Sequence, residues 1–570
     1  MWTQVYDPFG NWPLSTLMAA LPVLVLLGLL ASGKMGAWQA ALCGLGTASA
    51  VAATVFRMPP AMILASVGVG VSFALFRIVW LIVAAVFLYD IAVATGQFDI
   101  MKASIARLSG DRRIQAVLVA FSFGAFIEGA AGFGAPVAIS AAFLVGLGFQ
   151  PFQAAMLCLI ANTAPVAWGA IGTPILTLSK VTELDVEALS ATAGRILPFL
   201  SLIIPFWLVR TMTGWRQTFA VWPALLVIGG TFAGIQFAWS NFVGFELVDL
   251  VSAVGSLVAG VVLLQFWRPR DEWRFAHEEE SDKDKAGRPL DPTHPPLTAG
   301  RVARAWMPFA LLSLTVLVWG IPAVKPLGTP AVKDWLDTHT SWKPAMPGLH
   351  EQVAKGEAVT GHSRPEPKDY EKATLDLVPV SSTGTAVFLA AILSGLLLGV
   401  GPASMAMTLA QTVARMVPAI AAIFSMLALG FVTKYSGMDA VLGLAFTRTG
   451  PWLYPVFGTM LGWLGVALTG SDTSSNVLFG NLQKITAKKL GLNPILMAAA
   501  NTTGGVMGKM IDAQSIVVAA AATGEGGREG ELLRAVLWHS VALALIVGVI
   551  VWIYAHVTPW MVAMPHLPSH

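Results

Sequence analysis

Long apolar runs, without the polar positions that would give a helix a wet face, recur along the chain. They extend from Leu14 to Ala31, Ala37 to Phe56 and Ala61 to Ala94, then from Ile196 to Val209, Ala220 to Phe237 and Val248 to Phe266. Four more cover Trp306 to Ile321, Thr385 to Val400, Pro418 to Val432 and Val536 to Ile553. A hydrocarbon core of about 30 Å takes about 20 helical residues to cross. Helices of a water-soluble domain would be amphipathic at the helical period, whereas these runs are apolar on every face. The pattern predicts an all-α, multi-pass membrane protein.

Composition strengthens this reading. Of 570 residues, 56% are hydrophobic and 12% charged, against roughly 25% charged in soluble domains. The Met1–Pro13 leader has no Lys or Arg, so it lacks the basic region of a cleavable signal peptide, and Leu14 onward reads as a retained first helix. The two cysteines, Cys43 and Cys158, lie inside apolar runs and read as filler, with no metal site expected. The net charge of +3 and the lack of a basic patch interleaved with aromatics argue against a nucleic-acid partner.

Two hydrophilic stretches divide the chain. They define an N-terminal membrane half, 1–267, a loop, 268–304, a helix, 305–321, a second loop, 322–382, and a C-terminal membrane half, 383–570. One crossing between the loops puts them on opposite sides. Lys102, Arg107, Arg112 and Arg113 crowd a short loop, which the positive-inside rule places in the cytoplasm. Both terminal tails lack Lys and Arg and are expected outside, with 268–304 cytoplasmic and 322–382 periplasmic.

The halves repeat one another. Ala161-Asn162-Thr163 is followed by Gly169 and Ala500-Asn501-Thr502 by Gly508, a spacing of seven from Asn to Gly in each (169 − 162 and 508 − 501). Upstream, Glu128-Gly129 corresponds to Thr469-Gly470, and Gln150-Pro151 to Asn493-Pro494. Such repeats are characteristic of transporters with a midplane site built from broken helices, here expected to be inverted in the membrane. Ile114–Gly148 is too long for one straight crossing, about 52 Å at 1.5 Å per residue, and reads as a re-entrant hairpin.

Four interrupted segments carry the candidate chemistry. In 124–136, Gly129, Gly132 and Gly134 precede Pro136 around Glu128. Broken backbone at membrane depth is tolerated where it is buried or lines a cavity; its freed N–H groups can bind an anion, and an intramembrane carboxylate is a functional candidate by default. A plain packing break between helices is the alternative. The mirror segment, 469–476, gathers Thr469, Ser471, Asp472, Thr473, Ser474, Ser475 and Asn476 between apolar flanks, either lining a site or forming a surface loop.

Asn162-Thr163-Ala164-Pro165 opens the third segment, 162–174, and Asn501-Thr502-Thr503-Gly504-Gly505 the fourth, 501–515. Asn and Thr offer both donors and acceptors, while Pro or Gly-Gly is expected to unwind the helix. Lys509 could attract an anion or neutralise Asp512 within one turn. Arg77, inside a long run, either faces the pathway or marks a boundary between two shorter helices and snorkels to the interface.

These strings resemble the lactate permease family, bacterial symporters of 2-hydroxymonocarboxylates and protons. The resemblance rests on Glu128–Pro136 (EGAAGFGAP), Asn162–Val166 (NTAPV), Gly465–Asn476 (GVALTGSDTSSN) and Ala500–Lys509 (ANTTGGVMGK), and it extends from the Tyr6-Asp7-Pro8 leader to the last helix. It implies uptake of L-lactate, D-lactate or glycolate across the bacterial cytoplasmic membrane. The implied fold is related to the ion-transporter superfamily, with a scaffold and a mobile transport domain bearing two hairpins.

An inside-negative potential opposes entry of an anion by about 2.3 kcal/mol per 100 mV, and a co-transported proton removes that opposition. Glu128 or Asp472 is expected to carry it, since desolvation favours a carboxylate's protonated form. Gly132, Gly134, Asn162, Thr163, Ser471, Ser474, Ser475, Asn501, Thr502, Lys509 and Gln514 are the expected substrate-binding positions, with no cofactor and no metal. A sodium-coupled carboxylate transporter is the rival. An intramembrane enzyme has no HExxH, Gly-x-Ser-x-Gly or convergent His/Cys set to support it.

Overall fold

The computed structural model describes residues 1–31, 35, 37–106, 108–130, 135–275, 298–319, 332–360, 365–375, 377–525 and 528–564. Among them, seven helices are long and apolar enough to cross a membrane, or eight if the bent pair Pro151–Ala161 and Val166–Thr182 is one span. Each apolar run of the sequence is helical over most of its described length. Pro402–Ser436 extends well beyond the apolar run Pro418–Val432, because its polar early turns find a partner: Thr412 and Arg415 both hydrogen-bond to Asp90, at 2.5 and 2.7 Å.

The expected boundary at Arg77 is not observed. The backbone stays helical from Pro60 to Ala94 and accommodates Ala74–Val79 as a π-helical turn. Cys158 is buried, Cys43 half-buried, and both are free.

Two hairpins shape the interior. Arg112–Ala130 runs in and Ala135–Gly146 returns along it, with the Phe123 and Phe143 rings edge-to-face at 5.8 Å. Residues 131–134, including the candidates Gly132 and Gly134, lie outside the described residues. The second hairpin pairs Gly450–Thr469 with Asp472–Leu490. Gln483 Nε2 donates to the Gly458 carbonyl at 2.7 Å and Ser475 Oγ to that of Gly462 at 3.2 Å, which fixes the register of the two arms.

A broken helix follows each hairpin. In the first half, Pro151–Ala161 gives way at Asn162–Pro165, and the pair bends by 65°. The sharper distortion comes later, where Ala170, Ile171 and Gly172 adopt φ of 43°, 58° and 76°. In the second half, the expected unwinding at Gly504-Gly505 does not occur. Pro494–Gly508 is continuous, and the chain breaks instead at Lys509–Asp512 before Ala513–Thr523. The glycines serve close approach: a Cβ on Gly504 would strike the Thr459 carbonyl, and one on Gly462 the Asn501 carbonyl. Helix 494–508 therefore lies backbone to backbone against 450–469.

The hydrophilic segments sort into two groups. Asp271 and Trp273 hydrogen-bond to Arg113 and Arg112 through their carbonyl oxygens, at 2.9 and 3.0 Å. At the other group, Trp2–Thr3 pairs in parallel with Val353–Ala354, and Gln4 donates to the carbonyls of Lys434 and Tyr435. The C-terminal tail packs on helix Val186–Thr213, where the Ala563 N–H donates to Thr192 Oγ1.

Candidate functional site

The two halves meet at a cavity of about 60 Å³ lined by Glu128, Val166, Gly169, Ala170, Thr173 and Pro174 from the first, and by Gly470, Ser471, Asp472, Thr473 and Lys509 from the second. At roughly 10–15 Å³ of such volume per water, it holds four to six water-sized groups, the scale of a small organic anion. Its walls are helix starts. Asp472–Leu490 begins there with Ser471 as N-cap, accepting from the Ser474 N–H at 3.3 Å. The regular part of Gly169–Thr182 also begins there, after the left-handed residues 170–172. Helix N-termini present free N–H groups and partial positive charge.

Lys509 supplies a full positive charge. Its Nζ donates to the Gly470 carbonyl at 2.6 Å, at the tip of the second hairpin, and lies 3.2 Å from Asp512 Oδ2. Asp512 in turn caps Ala513–Thr523 by accepting from the Ser515 N–H at 2.8 Å. The two roles considered for Lys509 are therefore compatible in one geometry, since it lines the cavity while paired with Asp512.

Behind Asp472 stands a chain of buried amides and hydroxyls. Thr502 Oγ1 donates to Asp472 Oδ2. Asn476 Nδ2 contacts Thr502 Oγ1 at 3.1 Å and the Pro174 carbonyl at 3.2 Å, tying the halves together. Asn501 Nδ2 donates to Asn476 Oδ1 at 2.9 Å, Gln483 Nε2 reaches Asn501 Oδ1 at 3.3 Å, and Tyr454 donates to Gln483 Oε1 at 2.8 Å. Among the described residues, the other Asp472 oxygen, Oδ1, has no hydrogen-bond donor.

Of the expected site residues, Glu128, Asp472, Ser471 and Lys509 line the cavity. Asn162 is buried beside Glu128, and among the described residues neither polar atom of its amide has a hydrogen-bond partner. Asn501 and Thr502, expected to contact the substrate, lie behind Asp472 with their polar atoms engaged by protein, outside the lining of the cavity. Thr163, Ser474 and Ser475 bond to the Ile160 carbonyl, Met426 Sδ and the Gly462 carbonyl, and they do not line the cavity. The Gln514 side chain lies outside what is described.

Sequence reasoning missed Thr173 and Gly169. The cue was available, since each lies at or just after the break that the shared spacing from Asn marks. A Cβ on Gly169 would stand 2.6 Å from Glu128 Oε1.

The L-lactate permease family model matches residues 15–558. The chain belongs to the L-lactate permease family. It is 44% identical to the L-lactate permease of Bacillus subtilis (strain 168) over 571 residues, covering 98% of this chain and 100% of that one. It is equally 44% identical to the glycolate permease GlcA of Escherichia coli (strain K12) over 562 residues, with 98% of each covered. Among solved structures, the YdaH transporter of Alcanivorax borkumensis superposes with a TM-score of 0.42 at 14% identity, over 86% of this chain and 88% of that one. As a member of this family with seven or more candidate spans, the chain is a multi-pass membrane transporter.

Proposed function

We propose that this transporter imports lactate or glycolate together with a proton across the bacterial cytoplasmic membrane, by alternating access of the cavity between the hairpins. One observation carries the reading: a small cavity shared by both halves holds one ammonium, two helix starts and two acidic side chains. The ammonium and helix starts suit a carboxylate, while Ser471, Thr173 and Thr473 suit an adjacent hydroxyl. Glu128 or Asp472 then carries the proton that offsets the substrate's charge.

An inverted, elevator-like arrangement accords with the packing. The base of the first hairpin lies with the Arg112 group, where the Phe149 and Phe275 rings are 5.1 Å apart. The base of the second lies with the leader group, where Lys484 donates to the Thr182 carbonyl and a larger cavity is lined by Gln4, Tyr6, Glu183 and Lys484. This packing supports hairpins that enter from opposite ends, with the basic Arg112 end taken as the cytoplasmic one.

Proteoliposomes holding the purified protein test the proposal. L-lactate should accumulate under an imposed pH gradient, inside alkaline, equally well when choline replaces sodium. Uptake that follows a sodium gradient and ignores the pH gradient would support the sodium-coupled rival instead.

A further inference from the structure

Helix 248–266 packs along the first hairpin arm in an antiparallel register. Gly129 lies against Asp249, with 3.1 Å from an ideal Cβ on the glycine to the Asp249 Cβ. One stage along, Ser122 and Ser256 share a hydrogen bond of 2.8 Å, and beyond them an ideal Cβ on Gly260 meets Leu118 at 3.0 Å. The residue numbers in each pairing sum to 378 (129 + 249, 122 + 256, 118 + 260), so this is one continuous interface.

Asp249 is 1% exposed, and neither carboxyl oxygen has a hydrogen-bond partner among the described residues. Charged in that position it would be an uncompensated ion in the interior, which disfavours the carboxylate form there. The charged group acting on it across the packed helices is Glu128; its own connecting loop offers another acid, Glu246, and the neighbouring helix Trp222–Phe242 has no charged residue. Among the described residues no cation makes an ion pair with it. Buried Ser252 and Ser256 lie on the same helix face at one and two turns further, towards the end where Trp273 meets Arg112.

Resting on the proton-coupled reading above, we propose that Asp249, level with the tip of the first hairpin arm, is a second proton-binding site, which exchanges its proton with Glu128. Glu128 reaches the cavity and Asp249 does not, so substrate binding requires the first acid and net proton movement requires both. The transfer is a proton moving from one carboxylic acid to the neighbouring carboxylate, and it leaves the pair's total charge unchanged. Asp249 is a positioning residue for the proton, with no contact to the substrate.

The experiment compares the parent with Asp249→Asn and Asp249→Glu in proteoliposomes, using two readouts. Exchange of internal for external L-lactate at equal pH needs no net proton movement; accumulation under a pH gradient does. Asp249→Asn should keep exchange within about twofold of the parent and lose tenfold or more of pH-driven accumulation, with Asp249→Glu recovering part of it. Accumulation by Asp249→Asn equal to the parent's overturns the role of Asp249 alone. Loss of exchange and accumulation in the same proportion, without recovery in Asp249→Glu, makes the residue structural and equally overturns it. A parent that accumulates nothing under a pH gradient overturns the proton-coupled reading itself.

Discussion

The Lys509 ammonium donates to the Gly470 carbonyl at 2.6 Å, so the broken helix of the second half grips the tip of its own hairpin. The same ammonium lies 3.2 Å from Asp512. Hairpin tip, helix break and cavity charge are therefore set by one side chain.

Removing that side chain should be severe. Lys509→Ala leaves buried Asp512 without its cation, a loss of about 3–5 kcal/mol for a broken buried pair. L-lactate uptake should fall at least a hundredfold, and Lys509→Arg should recover only part, since a planar guanidinium cannot replace a compact ammonium at a single carbonyl. Initial uptake rates at equal membrane abundance check this.

The hydroxyl of Thr502 positions Asp472. Thr502→Val keeps the shape but removes the main donor, leaving Asp472 Oδ2 only the 3.4 Å contact from Asn476 Nδ2, at a cost of about 1–3 kcal/mol. Uptake should drop roughly tenfold to a hundredfold at 1.4 kcal/mol per decade, while Thr502→Ser stays near the parent. If Thr502→Val transported normally, the network behind Asp472 would have no bearing on transport.

Close packing of helix 494–508 on 450–469 predicts a stability effect. A Cβ at Gly462 meets the Asn501 backbone, which cannot rotate away, so Gly462→Ala should cost about 1–3 kcal/mol and lower the melting temperature in detergent. Gly46→Ala, where nothing lies within 4 Å, is the control and should melt with the parent.

At the leader end, Glu183 bonds to Lys434 Nζ at 2.6 Å, with Lys484 at 3.9 Å. Burial pushes the Glu183 carboxyl up, but Lys434 and Lys484 together outweigh it and hold it at about 2. A carboxyl depressed in the folded protein contributes stability above its unfolded value and loses it as pH falls through the folded one. The contribution should be constant at neutral pH and disappear between about pH 4.5 and pH 2. Melting temperatures of the parent and Glu183→Gln should converge over that window and differ at pH 7.

The sequence made the hairpins legible because their tips combine glycine and polar residues within apolar flanks, and a run such as Ile114–Gly148 is too long for one crossing. It located Glu128, Asp472 and Lys509 for the same reason. It could not tell lining from support at Asn501 and Thr502, since both uses demand the same polar side chains in a buried helix, and only tertiary contact assigns their bonds. Gly504-Gly505 misled because a glycine pair serves close packing as readily as a break. Asp249 was hidden as one acid at the head of the Val248–Phe266 run, where an interfacial residue would look the same.

The central claim is that the cavity's acids couple substrate to a proton, and pH-gradient-driven accumulation of labelled L-lactate by the parent, Glu128→Gln and Asp472→Asn in proteoliposomes tests it most directly. The parent should accumulate L-lactate, and at least one variant whose lactate exchange at equal pH persists should not. Undiminished accumulation in both variants would contradict it.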